Sequence, residues 1–414
     1  MYQAPRGTSD ILPEEQVYWR YVEQKAVSIC QLYGYERIDT PVFEDTRLFS
    51  RSIGEGTDIV EKEMYTFEDK GGNRITLRPE GTAPVCRAYL EHGMHNLPQP
   101  VKLYYITPIF RYERPQAGRY REHYQFGYEA FGDDNPALDA EVIDMAWQFF
   151  SSLGLSHLSL HLNSIGCREC RPGYLAVLKD YCVGYINDLC ADCKTRLERN
   201  PLRLLDCKKP LCRKILKSAP RSVDYLCPEC DEHFNQLKGY LELLGLPFEV
   251  NHRLVRGLDY YTRTVFEVQP EAEGAQSTLG GGGRYDYLIE ELGGKPTPAI
   301  GLATGIERII LNLKKQGVPI PTLPRPRVFI AHVGDEAGSE AIKLAASLRR
   351  AGTGVIEAVA GKSLKAQLRQ ANTLDVSYTV IIGKEEVKAG TVVLRDMTTS
   401  EQKTIPVAQL QGQL

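Results

Sequence analysis

No stretch of this 414-residue chain stays apolar for the roughly 18 positions a membrane helix needs. The opening MYQAPRGTSDILPEEQ also lacks the basic-then-apolar layout of an export signal. A soluble, cytoplasmic protein without a membrane partner is expected. A large excess of charge of either sign is missing too: the formal net charge is -3, so no field of the whole molecule draws in a polyanion, and a nucleic acid has to be met by a local patch. The eleven cysteines are odd in number and lie in a long chain. That argues against a disulfide framework and leaves reduced thiols or metal ligands.

What is present is an ordinary globular mix, 43% hydrophobic and 25% charged, in a chain longer than one core usually organises, so two or three domains are expected. Pro13 with Glu14 and Glu15 reads as a helix start, because proline needs no amide partner there and carboxylates favour the positive end of the dipole. Val22, Ala26, Ile29 and Tyr33 follow at helical spacing, and Gly34 supplies the stop. Glu36 to Asp45 reads as a strand interrupted by Pro41, which removes a ladder donor and so belongs at an edge or a subunit contact. VKLYYITPIFRYE and YREHYQFGYEAFG flank the polar turn RPQAG, as in an antiparallel pair. Residues 136–153 have helical character, and LSLHLNSIG alternates as a strand.

At Cys167 the composition changes. Nine of the eleven cysteines lie between there and Cys230, and Lys194 to Arg221 holds ten basic residues against Glu198 and Asp206. Residues 167–246 read as an inserted, mainly helical subdomain whose basic run is either a nucleic-acid patch or a solvated surface. Cys190-x2-Cys193 and Cys227-x2-Cys230 have zinc-knuckle spacing, with Cys167-x2-Cys170 and Cys207-x4-Cys212 as further pairs. A structural zinc and small core residues both remain open, and no residue is assigned to a metal. Strand-like sequence resumes at Phe248, runs through TVFEV, passes a glycine-rich turn in LGGGGRYD and gives way to a helix near Gly301. The proline-rich segment 319–326 is a linker. Beyond it VFIAHV and YTVIIG are continuous apolar runs, and Ala341, Leu344, Ala345 and Leu348 mark one helix face, which predicts a separate α/β domain.

Charged and polar residues stand where a purely structural sequence would avoid them: Arg111 and Glu113 in PIFRYERP, Gln125 and Glu129 in YQFGYEAFG, Arg256 with Asp259 in VRGLDYY. Buried charge is costly unless paired or ligand-bound, and alternation puts Arg111 with Glu113, and Gln125 with Gly127 and Glu129, on single faces. A polar cavity on a sheet face is expected.

FRYERPQAGRYRE, PAIGLATGIERII with its Arg308, LVRGLDYYTRTVFEV, LGGGGRYDYL, TLRPEGT and RGTSDILPEE stand in an order and wording that resembles the histidyl-tRNA synthetase family of class II, over essentially the whole chain. The resemblance implies an α+β fold: a class II antiparallel-sheet catalytic domain over 1–325, carrying the helical insertion, and an anticodon-binding α/β domain over 326–414. It implies an ATP-dependent ligase that makes histidyl-adenylate and passes histidine to the 3′ end of its tRNA. ATP with Mg2+, histidine, the histidine tRNA and a second copy in a homodimer are the implied partners. Arg111 would hold the α-phosphate and Arg308 the γ-phosphate, Arg256 would stand by the attacked phosphorus, and Glu113 would also contact ATP. Glu80 and Thr82, with Gln125, would take the histidine ammonium, and Gly81 would also bind histidine. Glu129 and Tyr261 would read the two imidazole nitrogens, while Tyr260 either shapes the same pocket or packs. Gly280 to Gly283 would let backbone approach the ligand, and Tyr285 would cover it. The insert would arch over the acceptor arm, the turn from Arg114 to Arg121 would touch its end, and the last domain would contact the anticodon. The rivals are a catalytically silent histidine sensor serving a phosphoribosyltransferase and a pure RNA-binding scaffold.

Overall fold

The computed structural model describes residues 2–54, 57, 59–114, 120–271 and 278–414; residues 115–119, in the expected turn around RPQAG, lie outside the described ones. Two compact units are present, Met1–Pro321 and Thr322–Leu414.

An eight-stranded sheet organises the first unit. Its order is Glu36–Arg37, Val101–Phe110, Glu122–Phe131, Ala299–Gly305, Gly280–Arg284, Thr262–Pro270, Leu158–Ser164 and Glu249–Val250. The six inner strands pair antiparallel. The edge strands are two residues long and pair parallel, which leaves little free ladder for another chain to join. Alternation in Glu122–Phe131 divides its side chains. Phe126, Tyr128 and Ala130 join Ile300, Leu302, Phe266 and Val268 in a core beneath helices Gln16–Leu32, Pro136–Ser152 and Ile306–Gln316. Each fully buried Phe there stabilises by about 1.5–3 kcal/mol. Gln125, Gly127 and Glu129 are left for the opposite face. Helix Pro136–Ser152 starts where Asn135 accepts a hydrogen bond from the Ala137 amide and Pro136 occupies the first turn. Gly34, at φ 73°, ends the turn after the first helix, as expected.

Four expectations need correction. The strand expected from Glu36 to Asp45 is split around Pro41: Glu36–Arg37 joins the large sheet, and Phe43–Asp45 joins a three-stranded sheet with Arg74–Leu77 and Tyr65–Glu68. LGGGGRYD is an interior strand rather than a turn, because a Cβ at Gly282 would stand 1.9 Å from the Gly301 carbonyl oxygen and only glycine permits that approach. The helix expected near Gly301 begins at Ile306, after strand Ala299–Gly305. VRGLDYY is irregular, not a strand.

The strand Gly280–Arg284 ends in a wholly buried arginine. Arg284 donates to Asp139 Oδ1 at 2.6 Å, to Asp286 Oδ1 at 3.2 Å and to the carbonyls of Asp133 and Asn135. Thr264 donates to the other Asp139 oxygen at 2.6 Å. This network ties the sheet centre to helix Pro136–Ser152.

Between Cys167 and Leu246 lie helices Arg171–Val183, Ala191–Arg199, Pro210–Leu216 and Pro228–Leu243. Their buried Leu178, Leu197 and Leu216, with Leu204 from the turn Pro201–Leu204, join the core that holds Val265, Tyr260 and Tyr261. The second unit is a five-stranded sheet in the order Val355–Glu357, Val328–His332, Tyr378–Ile382, Thr391–Asp396, Gln402–Pro406, parallel across the first three and antiparallel thereafter. Helix Asp335–Arg350 buries Ala337, Ala341, Ala345 and Leu348. No described helix is long and apolar enough to cross a membrane.

Candidate active site

The face of the large sheet left uncovered by the first core is floored by small residues. Glu129 registers with Gly301 and Gly301 with Gly283; in the next row Gly127, Ala303, Gly281 and Glu267 follow one another. The missing side chains make room for neighbours that lie flat. A Cβ at Gly301 would meet Glu129 Oε2 at 1.8 Å, one at Gly281 would meet the Arg256 guanidinium at 2.4 Å, and one at Gly127 would strike the Tyr105 ring at 2.3 Å. Above this floor opens a cavity of about 770 Å³. Its walls include Glu80, Thr82, Arg111, Glu113, Gln125, Glu129, Arg256, Tyr260, Tyr261 and Arg308. Segments far apart in sequence thus bring the anticipated polar residues to one place.

The contacts give the cavity two ends. At one, Glu129 accepts from Thr82 Oγ1 at 2.7 Å, from Tyr105 OH at 3.3 Å and from Tyr285 OH at 2.5 Å. Burial, helped by the nearby Glu80 carboxylate, pushes its carboxyl up to about 8, although the three hydroxyls pull it back. Glu80 caps helix Thr82–Glu91, accepting from the Thr82 amide at 2.6 Å and the Ala83 amide at 2.8 Å. Burial raises its carboxyl as well, against those amides and Arg111. Tyr260 stacks obliquely on Tyr261 at 4.7 Å and edge-on to Tyr285 at 5.5 Å, carrying the wall from Glu129 toward Arg256.

At the other end, Arg256 pairs with Glu267, whose second oxygen accepts from Thr278 Oγ1 at 3.0 Å. The Arg256 Nε is buried and has no hydrogen-bond partner among the described residues. Arg308 donates to the Thr278 carbonyl at 2.8 Å and Arg111 to the Pro79 carbonyl at 2.7 Å. Burial and these two arginines, Arg111 and Arg308, push His123 down to about 3, so its ring is neutral beside them. Glu307 accepts from the Tyr124 amide at 2.8 Å, and burial pushes it up to about 7.

Some expected residues fall elsewhere. The alternation argument for Arg111 and Glu113 does not apply, because strand Val101–Phe110 ends before them; both still line the cavity. Gly81 is not in the cavity wall and backs onto Tyr105, whose ring a Cβ would meet at 2.3 Å. Asp259 accepts from Asn200 Nδ2 at 2.6 Å, outside the wall. Gly280 and Gly281 line the cavity, whereas Gly282 and Gly283 are pressed against neighbouring strand backbone. Tyr285 is buried and holds Glu129 rather than covering a ligand. Sequence reasoning missed Tyr105, His123, Glu267, Thr278 and Glu307. Tyr105 and Glu267 carried a signal, since each is a polar group on the floor side of its strand, level with Gly127 and Gly281. The insert contributes as well: Arg196, Arg203, Lys208 and Lys209 line the same cavity. Its cysteines gather into two groups of four, Cys167, Cys170, Cys227, Cys230 and Cys190, Cys193, Cys207, Cys212.

Arginines gathered over the face of an antiparallel sheet, in place of a cavity at the ends of parallel strands, set the first unit among the class II aminoacyl-tRNA synthetases. The profile described as histidyl-tRNA synthetase matches residues 7–169 and 213–309, and one described as an anticodon binding domain matches residues 327–414. The chain is 64% identical over 410 residues to a histidine–tRNA ligase of Dehalococcoides mccartyi, covering 99% of this chain and 98% of that protein. It is 52% identical over 406 residues to one from Desulforamulus reducens, covering 98% and 97%. The solved structure of apo S. aureus histidyl-tRNA synthetase superposes with a TM-score of 0.84 at 40% identity, covering 100% of this chain and 99% of that one. The chain belongs to the histidyl-tRNA synthetase family.

Proposed function

We propose that this chain is a histidine–tRNA ligase, which activates histidine with ATP to histidyl-adenylate and pyrophosphate and then transfers histidine to the 3′ end of its tRNA. The observation that carries the reading is the pairing, in one cavity, of a carboxyl held by three hydroxyls with a set of three arginines.

ATP lies on the glycine floor with its phosphates among the arginines, whose planar donor forks match phosphate oxygens. Arg111 takes the α-phosphate and Arg308 the γ-phosphate. Arg256 is oriented by Glu267 and its Nε–H has no partner among the described residues, so its guanidinium can stabilise the charge that builds on the α-phosphate during attack by the histidine carboxylate. Glu113 and Glu307, both in the wall, are the carboxylates that would hold an Mg2+ ion, which would supply counter-charge to the phosphates of ATP. The histidine ammonium is met by Glu80, by Thr82 and by Gln125, whose Oε1 is buried and without a partner among the described residues. The imidazole lies between Glu129 and Tyr261. An amino acid without the second ring nitrogen leaves one of these desolvated groups unpaired, which is the condition for strong discrimination.

The tRNA is taken by two regions. The anticodon meets residues 326–414, and the acceptor end meets the basic insert and the segment from Arg114 to Arg121. The chain works in the cytoplasm as a homodimer, a reading supported by Val42 and Phe43, which expose apolar side chains beside Pro41. A histidine sensor without ligase activity is disfavoured by the full arginine set and the second unit.

The test is charging of total tRNA with labelled histidine, alongside histidine-dependent ATP–pyrophosphate exchange. Both activities are expected. Exchange without charging would refute the tRNA half, and histidine binding without exchange would leave the sensor. Removal of residues 326–414 should spare exchange and weaken charging.

A further inference from the structure

Eight of the eleven cysteines occupy two nested tetrads. The outer one joins Cys167 and Cys170, just after strand Leu158–Ser164, to Cys227 and Cys230, at the start of helix Pro228–Leu243. The inner one joins Cys190 and Cys193, at the start of helix Ala191–Arg199, to Cys207 and Cys212 around the start of helix Pro210–Leu216. Within each tetrad every sulfur lies within 4.8 Å of the other three. Cys167 Sγ is 3.7 Å from Cys170 Sγ and 3.8 Å from Cys227 Sγ, and Cys190 Sγ is 3.9 Å from Cys207 Sγ. Disulfides need about 2.05 Å, and all eleven thiols are free. Four thiolates at about 2.3 Å from a tetrahedral zinc stand about 3.8 Å apart, which is the spacing found.

A small-residue role in packing does not explain this. Cys30, Cys86 and Cys182 are buried singly, as packing cysteines are, whereas the eight gather sulfur to sulfur from segments distant in sequence. Backbone amides also point at sulfur: Cys167 N–H to Cys170 Sγ at 3.3 Å, Glu169 N–H to Cys167 Sγ at 3.4 Å, and Cys190 N–H to Cys212 Sγ at 3.3 Å. Such donors favour thiolate, the form that ligates metal.

We propose that the insert carries two structural zinc ions, each held by one tetrad, with all four positions filled by protein and none open for chemistry. The outer ion closes the base of the insert, where the chain leaves the sheet and returns to it. The inner ion fixes the loop that supplies Arg203, Lys208 and Lys209 to the cavity wall, beside Cys207, which lines the cavity itself. A tetrathiolate zinc also carries a net charge of about -2, which offsets part of the basic excess around it.

The inference does not depend on which reaction the cavity performs. Full-length protein purified under reducing conditions, and reconstituted with zinc if needed, should hold two zinc ions per chain by elemental analysis. X-ray absorption should report about four sulfurs at about 2.3 Å. The double variants Cys207→Ser/Cys212→Ser and Cys227→Ser/Cys230→Ser should each lose one ion and retain the other. Should either variant fail to fold, the wild-type count and the sulfur shell still decide. No bound zinc after reconstitution, iron in its place, or oxygen and nitrogen in the first shell would each overturn the proposal.

Discussion

Two carboxylates are buried to the same degree in the first unit and serve opposite purposes. Asp139 and Glu129 are 0% and 1% exposed. Asp139 meets a cation of the chain itself, Arg284, and its charge is matched before any ligand arrives. His233, 3.6 Å from Asp139, is pushed down to about 4 by burial and then by Arg284 and Arg263, so it adds no second charge. Glu129 has hydroxyls only, and burial drives it toward its neutral form. A carboxylate satisfied by the chain is structure; one left with neutral donors is prepared for a cation or a ring N–H from outside.

Four measurements would sharpen or break that contrast. The largest effect is expected from Glu129→Ala, which should lower histidine-dependent pyrophosphate exchange by about 10⁴-fold while leaving the circular dichroism and unfolding midpoint near wild type. An unchanged exchange rate removes Glu129 from the pocket, and a large stability loss would make it another Asp139. Arg284→Met should do the reverse. It leaves the buried Asp139 carboxyl without its paired cation and with the Thr264 hydroxyl as its hydrogen-bond donor, at a cost of about 3–5 kcal/mol in denaturant unfolding, and Asp139→Leu added to it should recover most of the loss. Arg256→His should reduce the adenylation rate by about 10²–10³-fold with a smaller change in ATP affinity; a change confined to affinity would refute its role at the attacked phosphorus. The smallest effect concerns pH. An imidazolium–carboxylate pair at Glu129 holds one proton, which the free site already carries below about 8. Histidine affinity should therefore stay level from about pH 7 and fall by about tenfold over the first unit above 8. A rise in affinity there would show that the ionised carboxylate is the binding form.

The parts legible in the sequence were those whose signal is local. The hairpin strands and the polar series Gln125, Gly127, Glu129 follow from period-two alternation, helix Pro136–Ser152 from its cap, and the VFIAHV and YTVIIG strands from continuous apolar runs. Family wording brought Arg111, Arg256 and Arg308 forward, and the fold gathered them. The misreading of LGGGGRYD has a plain cause, since glycine is a turn residue by local propensity and an interior strand residue only through what lies across from it. Gly282 faces the Gly301 carbonyl, a fact set by distant pairing. In the sequence Tyr105 draws no reading and Tyr285 reads as a cover over the ligand, because their hydroxyl partner, Glu129, is 24 and 156 residues away. Which cysteines group together was hidden for the same reason.

The glycine floor has a consequence for variation. Where a substrate rests on main chain, the surface beneath it is nearly the same whatever residues evolve elsewhere. A single added methyl at Gly301 would displace the Glu129 carboxylate, and one at Gly281 would evict Arg256. Drift across this sheet is thereby confined to the face turned toward the helices, and a change of amino-acid preference has to enter through the walls.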